Sequence, residues 1–183
     1  MKNLIKDKIA QQGDNIIIRL VKEQLTPGNL TEDDITTLGF LVLTAGNDAL
    51  IDSIGLGTMT LLQHLNQLSD FKKNPRLATK VVNEITRYHT VSALNSRRAM
   101  KQEVDIGGQH LEKGAGVICS VQAANRDEEK FNNPQAFNIH RDVSNADSLG
   151  LGHGPHRCQA EAFSLAQLKL SLQSYFSDSR DYD

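Results

Sequence analysis

A stretch of more than thirty residues, from Thr31 to about His64, contains no proline and is rich in apolar side chains. Thr31 followed by Asp34 is the signature of a capping box, in which each side chain bonds the other residue's backbone at the start of a helix. We therefore predict a single helix of some thirty residues. Its middle, residues 38–57, is apolar nearly all round, which predicts a buried helix rather than an amphipathic one.

The sequence Ala-Gly-Asn-Asp at residues 45–48 interrupts this apolar stretch. A glycine inside a helix costs about 1 kcal/mol relative to alanine, and a buried carboxylate is costly unless it is paired. Two explanations account equally well for a glycine and a carboxylate within one turn. One is a functional distortion of the helix, and the other is a structural kink whose polar groups are hydrogen-bonded.

The rest of the chain predicts a mainly α protein with a few short strands. Hydrophobic spacing indicates helical structure from the N-terminus to the turn at 26–29, and then helices over 65–73, about 76–89 and about 159–176. Strand-like pieces lie at 103–108 and 114–121, and residues 125–150 have the composition of an irregular loop. Cys119 lies among valines and an isoleucine, so we expect it to be a small buried apolar residue.

Composition sets limits on partners and compartment. A chain of 183 residues predicts one domain, and a net charge of −2 gives no reason to expect nucleic acid or an anionic membrane as a partner. Two cysteines do not make a disulfide framework, and we find no apolar run of membrane-spanning length. We expect a soluble cytoplasmic protein, with the mitochondrion as the alternative location.

The second cysteine, Cys158, lies in the run SLGLGHGPHRCQAEAF at residues 148–163, directly before a predicted helix. The positive end of a helix dipole and unpaired backbone N–H groups favour the thiolate form. Arg157 and His156 add positive potential. Such a thiolate could be a nucleophile, a haem ligand or, together with His153 and His156, a zinc ligand; an inert capping cysteine is a further possibility.

Residues 151–160, Leu-Gly-His-Gly-Pro-His-Arg-Cys-Gln-Ala, resemble the haem-binding loop of the cytochrome P-450 (haem-thiolate) superfamily, Phe-Gly-x-Gly-x-His/Arg-x-Cys-x-Gly/Ala. Three further motifs of that superfamily precede this loop in the order typical of the superfamily: 45–48 on the central helix, the Glu-x-x-Arg helix at 84–87, and the segment 125–141. Within the superfamily, RYHTVSAL and ANRDEEKFNNPQAFN look most similar to the fungal nitric oxide reductases. The resemblance implies the C-terminal, helix-rich half of the P-450 fold, truncated at both ends and without a separate second domain.

The resemblance also implies roles for particular residues. Cys158 would be the proximal ligand of the iron in haem b. Three further sets are implied: cofactor-binding residues Arg98, His156, Ala45, Gly46 and Gly152; catalytic residues Ser92, Asp48 and Asn47 on the distal side, Ser92 as part of a proton path; and a structural network of Glu84, Arg87 and Arg141.

The reaction implied is the reduction of nitric oxide to nitrous oxide, with NADH or NADPH as the electron donor and no obligate protein partner. The alternative is a ferredoxin-dependent monooxygenase acting on a small organic substrate; Asp48 favours it, but Ala49 does not, since the superfamily usually has threonine there. A second alternative is a truncated, inert relative. Leu151 also departs from the pattern, because an aromatic residue normally shields the thiolate at this position.

Overall fold

The structure is a computed structural model that describes residues 2–9, 13–142 and 148–177. The described residues form the α-helices α1 (Lys2–Ile9), α2 (Ile16–Leu20), α3 (Glu32–Gln63), α4 (Leu65–Lys73), α5 (Ala78–His89), α6 (Val121–Ala124) and α7 (Glu161–Ser177). The strands are β1 (Leu94–Ala99), β2 (Val104–Ile106), β3 (Gln109–Leu111) and β4 (Gly116–Ser120). The prediction of a mainly α chain with a few short strands is confirmed.

The capping box at the start of α3 forms as predicted. The Thr31 N–H donates to Asp34 Oδ2 at 2.8 Å, and the Asp34 N–H donates to Thr31 Oγ1 at 3.2 Å. The hydrogen bonds from the Thr31 hydroxyl and N–H hold the pKa of Asp34 below its usual value. Local side-chain chemistry therefore fixes where this helix begins.

The prediction that the middle of α3 is buried is wrong for this chain. Phe40 and Leu43 are 60% and 61% exposed, and Leu41, Val42 and Ile51 are exposed as well. A helix that is apolar all round needs packing partners on every side. The described residues do not cover these side chains, although other positions of the helix are buried.

The expectation that no apolar run reaches membrane-spanning length is also wrong. By length and composition alone, α3 could cross a membrane, a property that the core helices of soluble proteins share. Through residues 45–48 the α-helix continues without a break.

The chain divides into two compact units, residues 1–48 and 49–183. The first has a small core of Ile5, Val21 and Ile35. The second has a larger core from α3, α4, α5, α7 and residues 137–139: Leu61, Leu68, Phe71, Ala78, Val81, Val82, Ile85, Phe137, Ile139, Leu168, Leu172 and Phe176. The expectation of a single domain stays a prediction.

The helices of the second unit supply this core from one face each. In α7 the buried residues Leu168, Leu172 and Phe176 recur every four residues, which places them on one side of the helix. Gly57 lets α3 approach α5 closely, because a Cβ there would lie 2.7 Å from Ile85 Cδ1. Helix α5 also packs against α7.

The strands form two antiparallel pairs, β1 with β4 and β2 with β3. Strands β2 and β4 lie where strand-like pieces were predicted, whereas β1 and β3 were not predicted. The expectation that Cys119 is buried is wrong. Cys119 and its neighbour Ile118 are both exposed, because their side chains alternate between the two faces of a two-stranded sheet that is open at both positions.

Candidate functional site

Cys158 lies in a loop of residues 148–158, the cysteine loop, whose entrance is residues 148–149. Backbone hydrogen bonds close this loop on itself. The Gly152 N–H donates to the Leu149 carbonyl oxygen at 2.9 Å, and the Cys158 N–H donates to the Leu151 carbonyl oxygen at 2.9 Å. These two hydrogen bonds therefore link the position of the cysteine backbone to that of the loop entrance.

Two glycines give this loop its shape. Gly152 and Gly154 have φ values of +81° and +75°, in the left-handed region that favours glycine over other residues. A short 3₁₀ turn, Gly154–His156, leads to the cysteine. A Cβ at Gly154 would meet no atom within 4 Å, so this side of the loop is open to a ligand.

Cys158 is half-buried and lies three residues before the start of α7. Its carbonyl oxygen accepts a hydrogen bond from the Glu161 N–H at 3.2 Å. The adjacent Arg157 forms a two-point ion pair with Glu161: Nη2 donates to Oε1 at 2.8 Å, and Nε donates to Oε2. These hydrogen bonds raise the pKa of Arg157 and lower the pKa of Glu161, so an ion pair with both groups charged lies next to the cysteine.

A second ion pair is buried beneath this region. Arg87 and Glu84 are 0% and 1% exposed, and Arg87 Nε and Nη2 each lie 2.8 Å from a Glu84 carboxylate oxygen. Arg141 Nε lies 3.3 Å from Glu84 Oε2. The structure thus brings the three residues of the predicted network together, and the Glu84–Arg87 pair is buried although its spacing is typical of an exposed pair on a helix surface.

The same helix supports the cysteine loop directly. A Cβ at Gly150 would lie 2.4 Å from the Thr86 carbonyl oxygen, so only glycine permits the loop to pass this close to the end of α5. The cysteine loop and the buried ion pair therefore share α5 as their base.

The predicted distal-side residues Asn47 and Asp48, with Ala45 and Gly46, lie on exposed turns of α3. Asn47 Nδ2 lies 3.3 Å from Asp48 Oδ1. These residues belong to the first compact unit and Cys158 belongs to the second. Their predicted approach to a common cofactor stays a prediction.

The three remaining predicted site residues have exposed side chains. Ser92 lies in the bend between α5 and β1, Arg98 lies on β1, and His156 lies in the turn before the cysteine. All three are accessible to a ligand, and their roles stay predictions.

We assigned no role to Asn125 from the sequence. In the structure its side chain is wholly buried and accepts a hydrogen bond from the Leu149 N–H at the entrance of the cysteine loop. Its position in the motif Asn-Arg-Asp at 125–127 was the only signal. Its partners come from distant parts of the chain, which a local pattern does not show.

The residues around Cys158 fit the haem that the resemblance implies. Among the described residues no three His, Cys, Asp or Glu side chains form a group able to hold a metal ion, so His153, His156 and Cys158 do not make a zinc cluster. Haem iron takes four ligands from the porphyrin and needs only one thiolate from the protein. A single half-buried cysteine beside an open glycine loop meets that need.

Comparisons with known proteins agree with this fit. The chain is 40% identical to cytochrome P-450 55A3 of the fungus Fusarium lichenicola over 97% of its own length, and 30% identical to 6-deoxyerythronolide B hydroxylase of Saccharopolyspora erythraea over 95%. The crystal structure of cytochrome P-450 MoxA from Nonomuraea recticatena matches 96% of the chain with a TM-score of 0.90 and 32% identity. The chain spans 43% of the length of each of these three proteins.

The cytochrome P-450 family profile matches residues 60–178, which include the buried ion pair, the cysteine loop and α7. This segment is more than half of the chain, and the fold agrees with it. The chain belongs to the cytochrome P-450 family.

Proposed function

We propose that the chain is the haem-binding part of an oxidoreductase that reduces nitric oxide to nitrous oxide with electrons from NADH or NADPH. The observation that carries this proposal is Cys158 in a glycine loop held on α5 and flanked by the Arg157–Glu161 ion pair. The motif resemblance to fungal nitric oxide reductases favours this reaction, as does 40% identity to a fungal P-450 against about 30% to bacterial relatives.

Cys158 would hold the haem iron through its sulfur. When bound, haem supplies the redox chemistry, and its thiolate ligand pushes electron density onto the iron. The Arg157–Glu161 ion pair would hold the backbone beside Cys158 in place. Arg98 and His156, both exposed, would pair with the haem propionates through charge-assisted hydrogen bonds.

Protons for the reaction would come through the distal side. The hydroxyl of Ser92 would belong to that path, with Asn47 and Asp48 near the bound substrate. Ala49 lacks the hydroxyl that relatives usually have, and we expect this to slow turnover.

Nitrous oxide formation tests the proposal most simply. The longest natural form of the protein is loaded with haem and mixed with nitric oxide and NADH or NADPH, with no redox protein added. We expect N₂O from the wild type and none from Cys158→Ser. Cys119→Ser is the matched control, since Cys119 is an exposed thiol on β4; it should keep wild-type activity.

A ferredoxin-dependent monooxygenase is the second candidate. Asp48 is the acid typical of oxygen-activating relatives, and several bacterial relatives at about 30% identity bear hydroxylase or monooxygenase names. If turnover requires added ferredoxin and its reductase, this candidate replaces the first. If the wild type takes up no haem, the inert alternative replaces both. We propose the cytoplasm as the location, because both cysteines are free thiols.

A further inference from the structure

We infer that Asn125 is a positioning residue for the Cys158 thiolate, acting by holding the entrance of the cysteine loop against the end of α5. Its side-chain hydrogen bonds go to Thr90 and Leu149 and not to the cysteine itself. It acts through the backbone.

Asn125 is 0% exposed, and each polar atom of its side chain has a partner. Nδ2 donates to Thr90 Oγ1 at 2.8 Å, and Oδ1 accepts a hydrogen bond from the Leu149 N–H at 2.8 Å. Its carbonyl oxygen accepts from Arg87 Nη1 at 2.8 Å. One residue therefore joins the end of α5, the buried ion pair and the cysteine loop.

Thr90 is itself fixed in place. It ends α5 with a φ of +45°, and its hydroxyl donates to the Arg87 carbonyl oxygen at 2.8 Å. Because the hydroxyl proton of Thr90 is used in that hydrogen bond, the Thr90 oxygen acts as an acceptor for the Asn125 amide. The amide orientation is thus determined, with its oxygen towards Leu149.

Two backbone hydrogen bonds link the position of Leu149 to that of Cys158. The Leu149 carbonyl oxygen binds the Gly152 N–H, and the Leu151 carbonyl oxygen, which lies between these two residues, binds the Cys158 N–H. Gly150, in contact with Thr86, holds the same stretch by steric fit. The Asn125 amide supplies a side-chain hydrogen bond that ties this stretch to the rest of the second unit.

Removing the amide leaves the Leu149 N–H without its partner in a partly buried position. The net value of such a hydrogen bond corresponds to about a tenfold change in the opening equilibrium of the loop. Opening of the loop entrance frees the Cys158 backbone, so the sulfur should leave its ligating position more often.

The experiment compares Asn125→Ala with Gln67→Ala in the haem-loaded protein. Gln67 is a matched control because its side-chain amide also bridges two segments. Its Nε2 donates to the Phe137 carbonyl oxygen at 2.9 Å, and its Oε1 accepts from the Ile139 N–H at 2.8 Å. Within the part of the chain that the structure describes, these hydrogen bonds of Gln67 go to residues 137–139 and not to the cysteine loop.

Two readouts are measured: amide hydrogen exchange over residues 148–158, and the spectrum of the reduced carbon monoxide complex. We expect Asn125→Ala to speed exchange at Leu149 and Cys158 about tenfold and to convert part of the thiolate-type spectrum to the form without thiolate. Gln67→Ala should speed exchange at Ile139 and leave the spectrum unchanged. Equal effects of both variants on the loop and the spectrum would overturn the inference.

A second pair of variants covers the case in which Asn125→Ala does not fold. Thr90→Ser keeps the hydroxyl and should behave as wild type, whereas Thr90→Val removes the partner of the Asn125 amide and should speed loop exchange. Identical loop exchange in these two variants would also overturn the inference. The spectral readout rests on the proposed haem ligation by Cys158, but the exchange readout does not. A wild type without the thiolate spectrum therefore refutes the proposed function alone.

Discussion

Replacing Arg87 by methionine should be among the most destabilising single changes in the chain. The substitution removes two 2.8 Å hydrogen bonds to Glu84 and the bonds to three carbonyl oxygens, those of Asn125, Pro134 and Ala136. It also leaves the Glu84 carboxylate buried. Removing one partner of a buried ion pair lowers the free energy of unfolding by about 3–5 kcal/mol. The free energy of unfolding of a whole domain is only about 5–15 kcal/mol. Arg141 remains 3.3 Å from Glu84, so we expect the lower half of that range.

The assay is urea unfolding of the haem-loaded protein followed by far-UV circular dichroism. Lys80→Met is the matched control, because Lys80 pairs with Asp142 at 3.4 Å while their side chains are 43% and 99% exposed. Exposed pairs contribute about 0–1 kcal/mol. If Arg87→Met lowers the free energy of unfolding by no more than Lys80→Met, the buried pair does not support the fold as the structure indicates.

Three further outcomes follow from the structure. Burial, and secondarily the charge of Arg126, lower the pKa of His89 from 6.5. The unfolded chain therefore binds the proton first, and stability should fall as the pH drops below about 6.5; His89→Gln should flatten this part of the pH profile of the unfolding free energy, and an unchanged profile would contradict it. Ala49→Thr should raise the N₂O rate without changing the spectrum, and an unchanged rate refutes our account of that position. Phe40→Ser with Leu43→Ser should reduce self-association of the 183-residue chain in sedimentation experiments, since both side chains are exposed; equal association of variant and wild type would contradict this.

The parts of the fold that depend on local chemistry could be predicted from the sequence. The start of α3 depends on Thr31 and Asp34, three residues apart, and the bounds of α4 depend on hydrophobic spacing and the Asn-Pro step that follows it. The helix and loop predictions for the C-terminal part needed no long-range information. Where the structure describes them, these elements agree with it to within a few residues; residues 143–147 of the predicted loop lie outside the described residues.

Burial could not be predicted in the same way. The spacing of Glu84 and Arg87 is typical of an exposed ion pair, and only the packing of distant segments buries this pair. The hydrogen bond from Arg87 to the Pro134 carbonyl oxygen is an example of that packing. The exposure of α3 and of Cys119 likewise depends on which partners are present. Asn125 has partners 35 and 24 residues away, at Thr90 and Leu149, so no local pattern points to its role.

The central claim is that Cys158 is the protein ligand of a haem iron. It is tested most directly by the absorption spectrum of the reduced carbon monoxide complex of the haem-loaded protein, recorded for wild type, Cys158→His and Cys119→Ser. We predict the thiolate-type band in the wild type and in Cys119→Ser, and its loss in Cys158→His. A Cys158→His protein that keeps the band, or a Cys119→Ser protein that loses it, would contradict the assignment and move the ligand to another residue.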